Sequence, residues 1–124
     1  MPLHWTICKA ERLVIAVARG DVSSRELFEY MTELQEASAF AYSKIFDASA
    51  ASDSIGDDTL RSLAGMVQQH AALRPVGPIA VVVANDEIQA KAEVYASVAV
   101  GRPIRIFRDQ EEARRWIKSF GSTH

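Results

Sequence analysis

The stretch FDASAASDSIGDD, Phe46 to Asp58, sets Asp47, Asp53, Asp57 and Asp58 among Ser49, Ser52 and Ser54 with no basic residue between them. Three chemistries suit these types. A phosphorylated Ser54 would add about −1.5 to −2 charge beside Asp53, Asp57 and Asp58, a repulsion able to release a partner. Carboxylate oxygens at Asp47, Asp53, Asp57 and Asp58 are the hard ligands that magnesium or calcium takes. Their spacing lacks the D-x-D-x-D-G regularity and closing glutamate of a calcium loop, so no metal site is expected. The third chemistry is local: Ser54 caps a following helix with Asp57 completing a capping box, or Asp57 is itself the cap. Acids are favoured at a helix N-terminus by its dipole, and capping is the expectation adopted. As an interaction site, the loop offers Asp47, Ser49, Ser52, Asp53, Ser54, Gly56 and Asp57, with Ser54 as the candidate phosphorylation site.

Nucleophiles and bases are sparse elsewhere. Cys8 and His4 share one face of a short strand, His70 falls late in a helix, and His124 is the last residue, so they compose no triad or metal motif. No G-x-S-x-G, phosphate-binding loop, G-x-G-x-x-G or C-x-x-C is present. No catalytic residue and no cofactor is therefore assigned. Asp47, Asp86 and Asp109 each follow a predicted parallel strand, the edge where α/β sheets bind ligands. A receiver-type acidic pocket would also need an early acidic pair and a late lysine, but those strand ends read ARGD and FRDQ. Capping accounts for Asp86 and Asp109. Arg102, Arg105, Arg108, Arg114, Arg115 and Lys118 crowd the C-terminal segment against Asp109, Glu111 and Glu112. They suit an anionic head group or an acidic partner, and equally a solvated face with a charged edge strand; the solvated face is expected.

The elements that must position these residues follow from periodicity. LHWTICK alternates as a half-buried edge strand, and the apolar run LVIAVA after a short break suggests its antiparallel neighbour. In GDVSSREL, Ser23 and Glu26 form a capping box and Val22 with Leu27 a hydrophobic staple. Leu27, Tyr30, Met31 and Leu34 then make one helical face. YSKIFD is the third strand, ending at Asp47. Leu60, Leu63, Ala64, Val67 and Ala71 mark a second helix stopped by Pro75 and Gly77. PIAVVVA is a buried strand, and Asn85 or Asp86 caps a third helix with Ile88, Ala92, Tyr95, Ala96 and Ala99 inward, ended by Gly101 and Pro103. PIRIF is a fifth strand. Asp109 caps a last helix with Ala113, Trp116, Ile117 and Phe120 inward. The order β-β-α-β-α-β-α-β-α specifies one α/β domain over residues 1–124, with a five-stranded, mostly parallel sheet, an antiparallel first strand and four helices.

The whole chain narrows the partners. At 124 residues and 48% apolar content it can fill one core without staples. A formal charge of −2 supplies no global field for nucleic acid or an anionic membrane, so neither nucleic-acid binding nor membrane insertion is expected. Lys9, Glu11 and Arg12 interrupt the first apolar run short of membrane-spanning length. Cys8, the only cysteine, suits a reducing compartment, and the expected location is cytoplasmic.

The element order, LVIAVARGDVSSREL and the strand end IFDAS resemble the STAS domain of anti-sigma factor antagonists and sulfate transporter tails. PIRIFRDQEEARRWI is similar to the strand and A-x-x-W helix that close the SpoIIAA-like bacterial group. The resemblance covers nearly the whole chain and implies a regulatory, protein-interaction module. In the antagonists the serine before the glycine of D-S-S-G-L is phosphorylated; here Ile55 stands at that place and Ser54 one residue earlier.

Aliphatic residues turned to both sheet faces add another expectation. If the crossover helices lie on one side, the other face needs cover, from a terminal helix, a homodimer or a lipid-like ligand. Two functions therefore stand: a non-catalytic STAS-like module binding a protein partner through the loop, and a carrier or sensor of a small apolar or anionic ligand. Tyr30, Tyr42, Tyr95, Trp5 and Trp116 are candidate pocket residues for the second, or plain core.

Overall fold

The structure is a computed structural model that describes residues 2–52, 54–98 and 102–121. Within them the chain runs β1 (Leu3–Cys8), β2 (Leu13–Gly20), α1 (Ser24–Glu36), β3 (Ser43–Ala51), α2 (Asp57–Ala71), β4 (Ile79–Val82), α3 (Asp86–Val98), β5 (Ile104–Phe107) and α4 (Gln110–Gly121). The strands lie side by side in chain order. β1 is antiparallel to β2, and every later pair is parallel, as the hairpin and the long crossovers require.

Alternation assigns the two faces. Leu3, Val14, Ala16 and Ala18 turn to one side, where they meet Leu27, Tyr30, Met31 and Leu34 of α1. Ile79, Val81 and Ile106 share that side with Ile88 and Ala92 of α3. The opposite side holds Ile45, Ala80, Val82 and Phe107, and here Ala113 and Ile117 of α4 pack. Three crossovers of one hand put α1, α2 and α3 on the same face. The terminal helix is what covers β3 to β5 on the other, while Ile15 and Val17 of β2 stay half-buried.

Local signals in α1 form as the sequence predicts. Ser23 Oγ accepts the Glu26 N–H at 3.1 Å, and Glu26 Oε1 accepts the Ser23 N–H at 3.2 Å. Glu26 Oε2 also takes the Leu3 N–H at 3.2 Å, so one carboxylate closes the cap and ties β1 to α1. These donors, the Ser23 N–H foremost, hold its carboxyl below the usual range against the opposing effect of burial. Val22 and Leu27, the staple pair, are both buried.

Two expectations are corrected. β3 does not end at Asp47 but runs to Ala51, because β2 itself continues to Gly20 and the pair resumes, after a register shift, as Arg19 with Ala50 and Gly20 with Ala51. Gly20 makes the following turn at φ +65°, a conformation that glycine adopts without Cβ strain. The second correction concerns α2. Its N-cap is Gly56, with no side-chain cap bond, so neither Ser54 nor Asp57 caps it. Asp57 is instead the first helical residue, and its carboxylate is drawn sideways to Lys91 of α3 at 3.2 Å. α3 is capped by Asn85, whose Oδ1 accepts the Ile88 N–H at 2.9 Å. Ala99, Gly101 and His124 lie outside the described residues.

Candidate functional site

The candidate loop does not act as one acidic cluster, because each described aspartate has its own partner. Asp47 Oδ1 accepts from the Ser49 hydroxyl at 2.6 Å and the Ser49 N–H at 3.0 Å, while its other oxygen accepts from the Gln110 amide at the start of α4. Ser52 donates its hydroxyl to Asp21 and its N–H to the Gly20 carbonyl, which fastens the end of β3 to β2. Asp57 meets Lys91, and Asp58 approaches Arg61. Ser54 is exposed, Gly56 begins α2, and Asp53 lies outside the described residues. Among the described residues no three of His, Cys, Asp and Glu come together as metal ligands. Asp86 pairs with Arg108 at 2.6 Å, and Asp109 accepts the Glu111 N–H, so the strand-end aspartates are likewise engaged separately.

What the loop does is roof a cavity. Between α1, α2, α3 and the sheet lies a space of about 140 Å³. Its walls explain it: Ala18, Ala48 and Ala51 on the sheet and Ala92 on α3 stop at Cβ, and α2 packs mainly against α3 rather than down onto the strands. The buried part is apolar, with Leu27, Met31, Leu63, Val81 and Ile88 facing inward. The half-buried lining residues Ser52, Ile55, Leu60 and Lys91 belong to the loop, the first turn of α2 and α3, and mark where the cavity meets solvent. Ile55, between Ser54 and Gly56, is part of this lining.

Tyr30 and Tyr95 line the cavity, and Arg102, which does not, lies near both phenols. Tyr30 stands between Trp5, with ring centroids 5.4 Å apart, and Phe46, at 6.0 Å. Its hydroxyl is buried without a hydrogen-bond partner. Arg102, just before β5, has Nε and Nη2 buried and equally unpartnered. Burial lowers the Arg102 guanidinium from its ordinary value, and the two nearby phenols oppose that shift. Burial in turn raises the Tyr30 phenol, with Tyr95 adding to the effect and Arg102 opposing it. Tyr95 is raised by the same desolvation.

Lys44 is the second cation on this face. It is 2% exposed, and Nζ donates to the Phe40 carbonyl at 2.6 Å and the Tyr42 carbonyl at 2.8 Å. No salt bridge reaches it among the described residues. Burial, with the repulsion of Arg102, pulls its ammonium down to about 6. Two N–H donors for two carbonyls are what a neutral amine supplies.

The sequence reading placed Arg102 among solvated cations and did not single out Lys44. Arg105, Arg108, Arg114, Arg115 and Lys118 are indeed exposed, but Arg102 is not like them. A lysine inside the apolar strand SKIF was the available signal for Lys44; Arg102 had none, since its burial depends on the helices above it. Of the aromatic candidates, Tyr30 and Tyr95 line the cavity and Trp5 backs Tyr30. Tyr42 lies under Arg12, 5.0 Å from the guanidinium, and Trp116 packs on the α4 side against Phe107. His70 stacks edge-on against Phe40, and Cys8 is a half-buried free thiol on β1. Ser52 and Lys91 both line the cavity, Ser52 donating its hydroxyl to Asp21 and Lys91 paired with Asp57, and no described helix is long and apolar enough to cross a membrane. No family model matches the sequence, and no curated protein matches it.

Proposed function

We propose that this chain is a non-catalytic binding module that takes up a small apolar ligand beneath the loop after β3 and presents the occupied or empty state at that loop. The single observation that carries the reading is the cavity of about 140 Å³, walled by alanines and aliphatic side chains and roofed by Ile55 and Leu60. An engineered apolar cavity of about 150 Å³ takes up benzene, so the volume suits a ligand of that order. Polar wall groups are few and lie at the margins, the usual composition of a binding pocket. Native mass spectrometry of freshly purified protein, with and without added benzene, tests it. A one-to-one adduct is expected, and a clean unliganded mass in both conditions would overturn the reading.

A second reading is a cytoplasmic STAS-like regulatory module that docks a protein partner at the same loop. Its support is the exposure of Ser54 beside Gly56, free of any capping duty, on an element order like that of the antagonists. The expected result is capture of one partner by the parent protein and its loss with Ser54→Asp but not Ser54→Ala. Identical capture by both variants would exclude the phosphoserine switch.

A further inference from the structure

Register and one backbone bond fix which way β1 turns its main-chain groups. Arg19, opposite Pro2, donates its N–H to the Pro2 carbonyl at 2.8 Å, so in the antiparallel ladder His4 and Thr6 bond to β2 while Leu3, Trp5 and Ile7 direct N–H and C=O away from the sheet. The Leu3 N–H agrees with that parity, since it leaves the sheet for Glu26 Oε2 at 3.2 Å. Among the described residues no strand lies on the outer side of β1, and the outward groups of Trp5 and Ile7 have no partner. The other edge of the sheet is guarded: β5 is four residues long, begins after Pro103 and carries Arg105 between Arg102 and Arg108. β1 has six residues, LHWTIC, with no proline, lysine, arginine or acid among them. Its Trp5 and Ile7 side chains are only half-buried against the core.

A stripe of acid runs beside this open edge. Glu26, Glu29, Glu33 and Glu36 follow one another at helical spacing, which places them on one face of α1. Two of them reach β1, Glu26 at the Leu3 N–H and Glu33 at the Trp5 indole N–H, 2.6 Å away. The stripe is about 15 Å long at 1.5 Å per residue, close to the ~17 Å of the strand. Glu33 and Glu36 are exposed and meet no cation among the described residues, and Arg25, bonded to Glu29, is the only basic residue of α1. We infer that the outer edge of β1 accepts an extended segment of a partner protein that carries lysine or arginine at alternate positions. The outward groups of Trp5 and Ile7 and the Leu3 carbonyl supply the main-chain pairing; the basic side chains on the α1 side lay their stems over Trp5 and Ile7 and bring their charges to Glu29, Glu33 and Glu36. A second copy of this chain is the poorer occupant, because two-fold pairing of β1 with β1 sets the two glutamate stripes face to face. No described residue of β1 lines the cavity, so this edge is a surface additional to the one that takes up a ligand.

The test titrates the full chain with a short acetylated peptide alternating lysine and valine, and follows the shifts and exchange of the Trp5 and Ile7 amides by NMR. Two control peptides accompany it: one with glutamate in place of every lysine, and one of the lysine sequence with alternate amides N-methylated. The lysine peptide is expected to slow exchange at Trp5 and Ile7 and to bind about tenfold or more tightly than the glutamate peptide, with the preference shrinking in 1 M salt. The N-methylated peptide should bind poorly, because it cannot complete the ladder. Ile7→Pro removes one outward N–H without touching the bonds of β1 to β2 and should abolish binding. Should that variant fail to fold, Glu33→Gln with Glu36→Gln decides: the pair keeps an acceptor for the Trp5 indole and should weaken the lysine peptide several-fold while leaving the glutamate peptide no weaker. Absence of binding by the lysine peptide overturns the inference. Equal binding of the lysine and glutamate peptides does so too, and so does a dimer of the free chain in which the Trp5 and Ile7 amides are already protected.

Discussion

Asp57 at the start of α2 and Lys91 on α3 meet at 3.2 Å beside the cavity that Lys91 lines. The pair joins the two helices that form the outer wall, and it explains why Asp57 does not serve as a cap. Its side chains are 47% and 29% exposed, so its contribution to stability is small, under about 1 kcal/mol. Its larger effect is on opening. Asp57→Asn should lower the melting temperature only slightly, and less so in 1 M salt, where exposed pairs are screened. Amide exchange over residues 54–60 should nevertheless quicken several-fold. Unchanged exchange there would mean that Ile55 and Leu60 hold the roof by packing alone.

The cavity itself has a cost that a substitution can remove. At about 24 cal/mol per Å³, an empty 140 Å³ corresponds to on the order of 3 kcal/mol of forgone packing. Ala92→Leu projects a larger aliphatic side chain from α3 into that space and should stabilise the protein by about 1 kcal/mol, read from urea unfolding. The same variant should lose its uptake of benzene. Gain of stability with loss of binding is the signature of a pocket maintained for a ligand; loss of both would indicate overpacking against Ile88 or Val81.

These relationships differ in how far the sequence revealed them. Ser23 and Glu26 are three residues apart and complete each other through backbone geometry alone, so their box was legible. The apolar stripes of α1 and α4 and the strand order follow from period and chain connectivity in the same way. β3 beyond Asp47 was not legible, because Ala48, Ser49, Ala50 and Ala51 carry little of the branched bulk that marks a strand. The Asp57 carboxylate was assigned to a cap on a local rule and is taken by Lys91, thirty-four residues away. Arg102 and Lys44 resemble surface residues in any composition count. Their burial comes from three crossover helices stacked on one face, and only the assembled sheet brings that about.

Gly77 sits where the chain leaves α2 for β4, and it is there for space rather than for conformational freedom. A Cβ at this position would lie 2.2 Å from the Tyr42 carbonyl oxygen and 2.5 Å from that of Ala41. Both obstacles are backbone, and the Gly77 N–H is held by the Phe40 carbonyl at 2.8 Å, so the segment cannot slide away. Gly77→Ala should therefore cost about 3 kcal/mol or more, measured by chemical unfolding. The Tyr42 carbonyl also receives Lys44, which makes this contact part of the same corner. Gly65→Ala, at a helical position with open space around it, is the control and should be neutral or mildly stabilising.

Lys44 should dominate the pH dependence of stability above neutrality. Its folded value, about 6, lies below the 10.5 of a free lysine, so between those pH values the unfolded chain binds a proton that the native state does not. Stability then rises with pH across that window, with a slope of up to about 1.4 kcal/mol per unit, and flattens below pH 6, where both states are protonated. Lys44→Met should abolish the rise. The variant leaves the Tyr42 carbonyl without its donor, whereas the Phe40 carbonyl keeps the Gly77 N–H. The variant should consequently be less stable than the parent near pH 9 and recover relative to it towards pH 6, where the parent carries the burden of a buried ammonium. Urea midpoints at half-unit steps from pH 5.5 to 9.5 would read this directly. A parent curve as flat as that of Lys44→Met would mean that Lys44 stays charged, with its two carbonyl partners, Phe40 and Tyr42, enough to hold the ammonium.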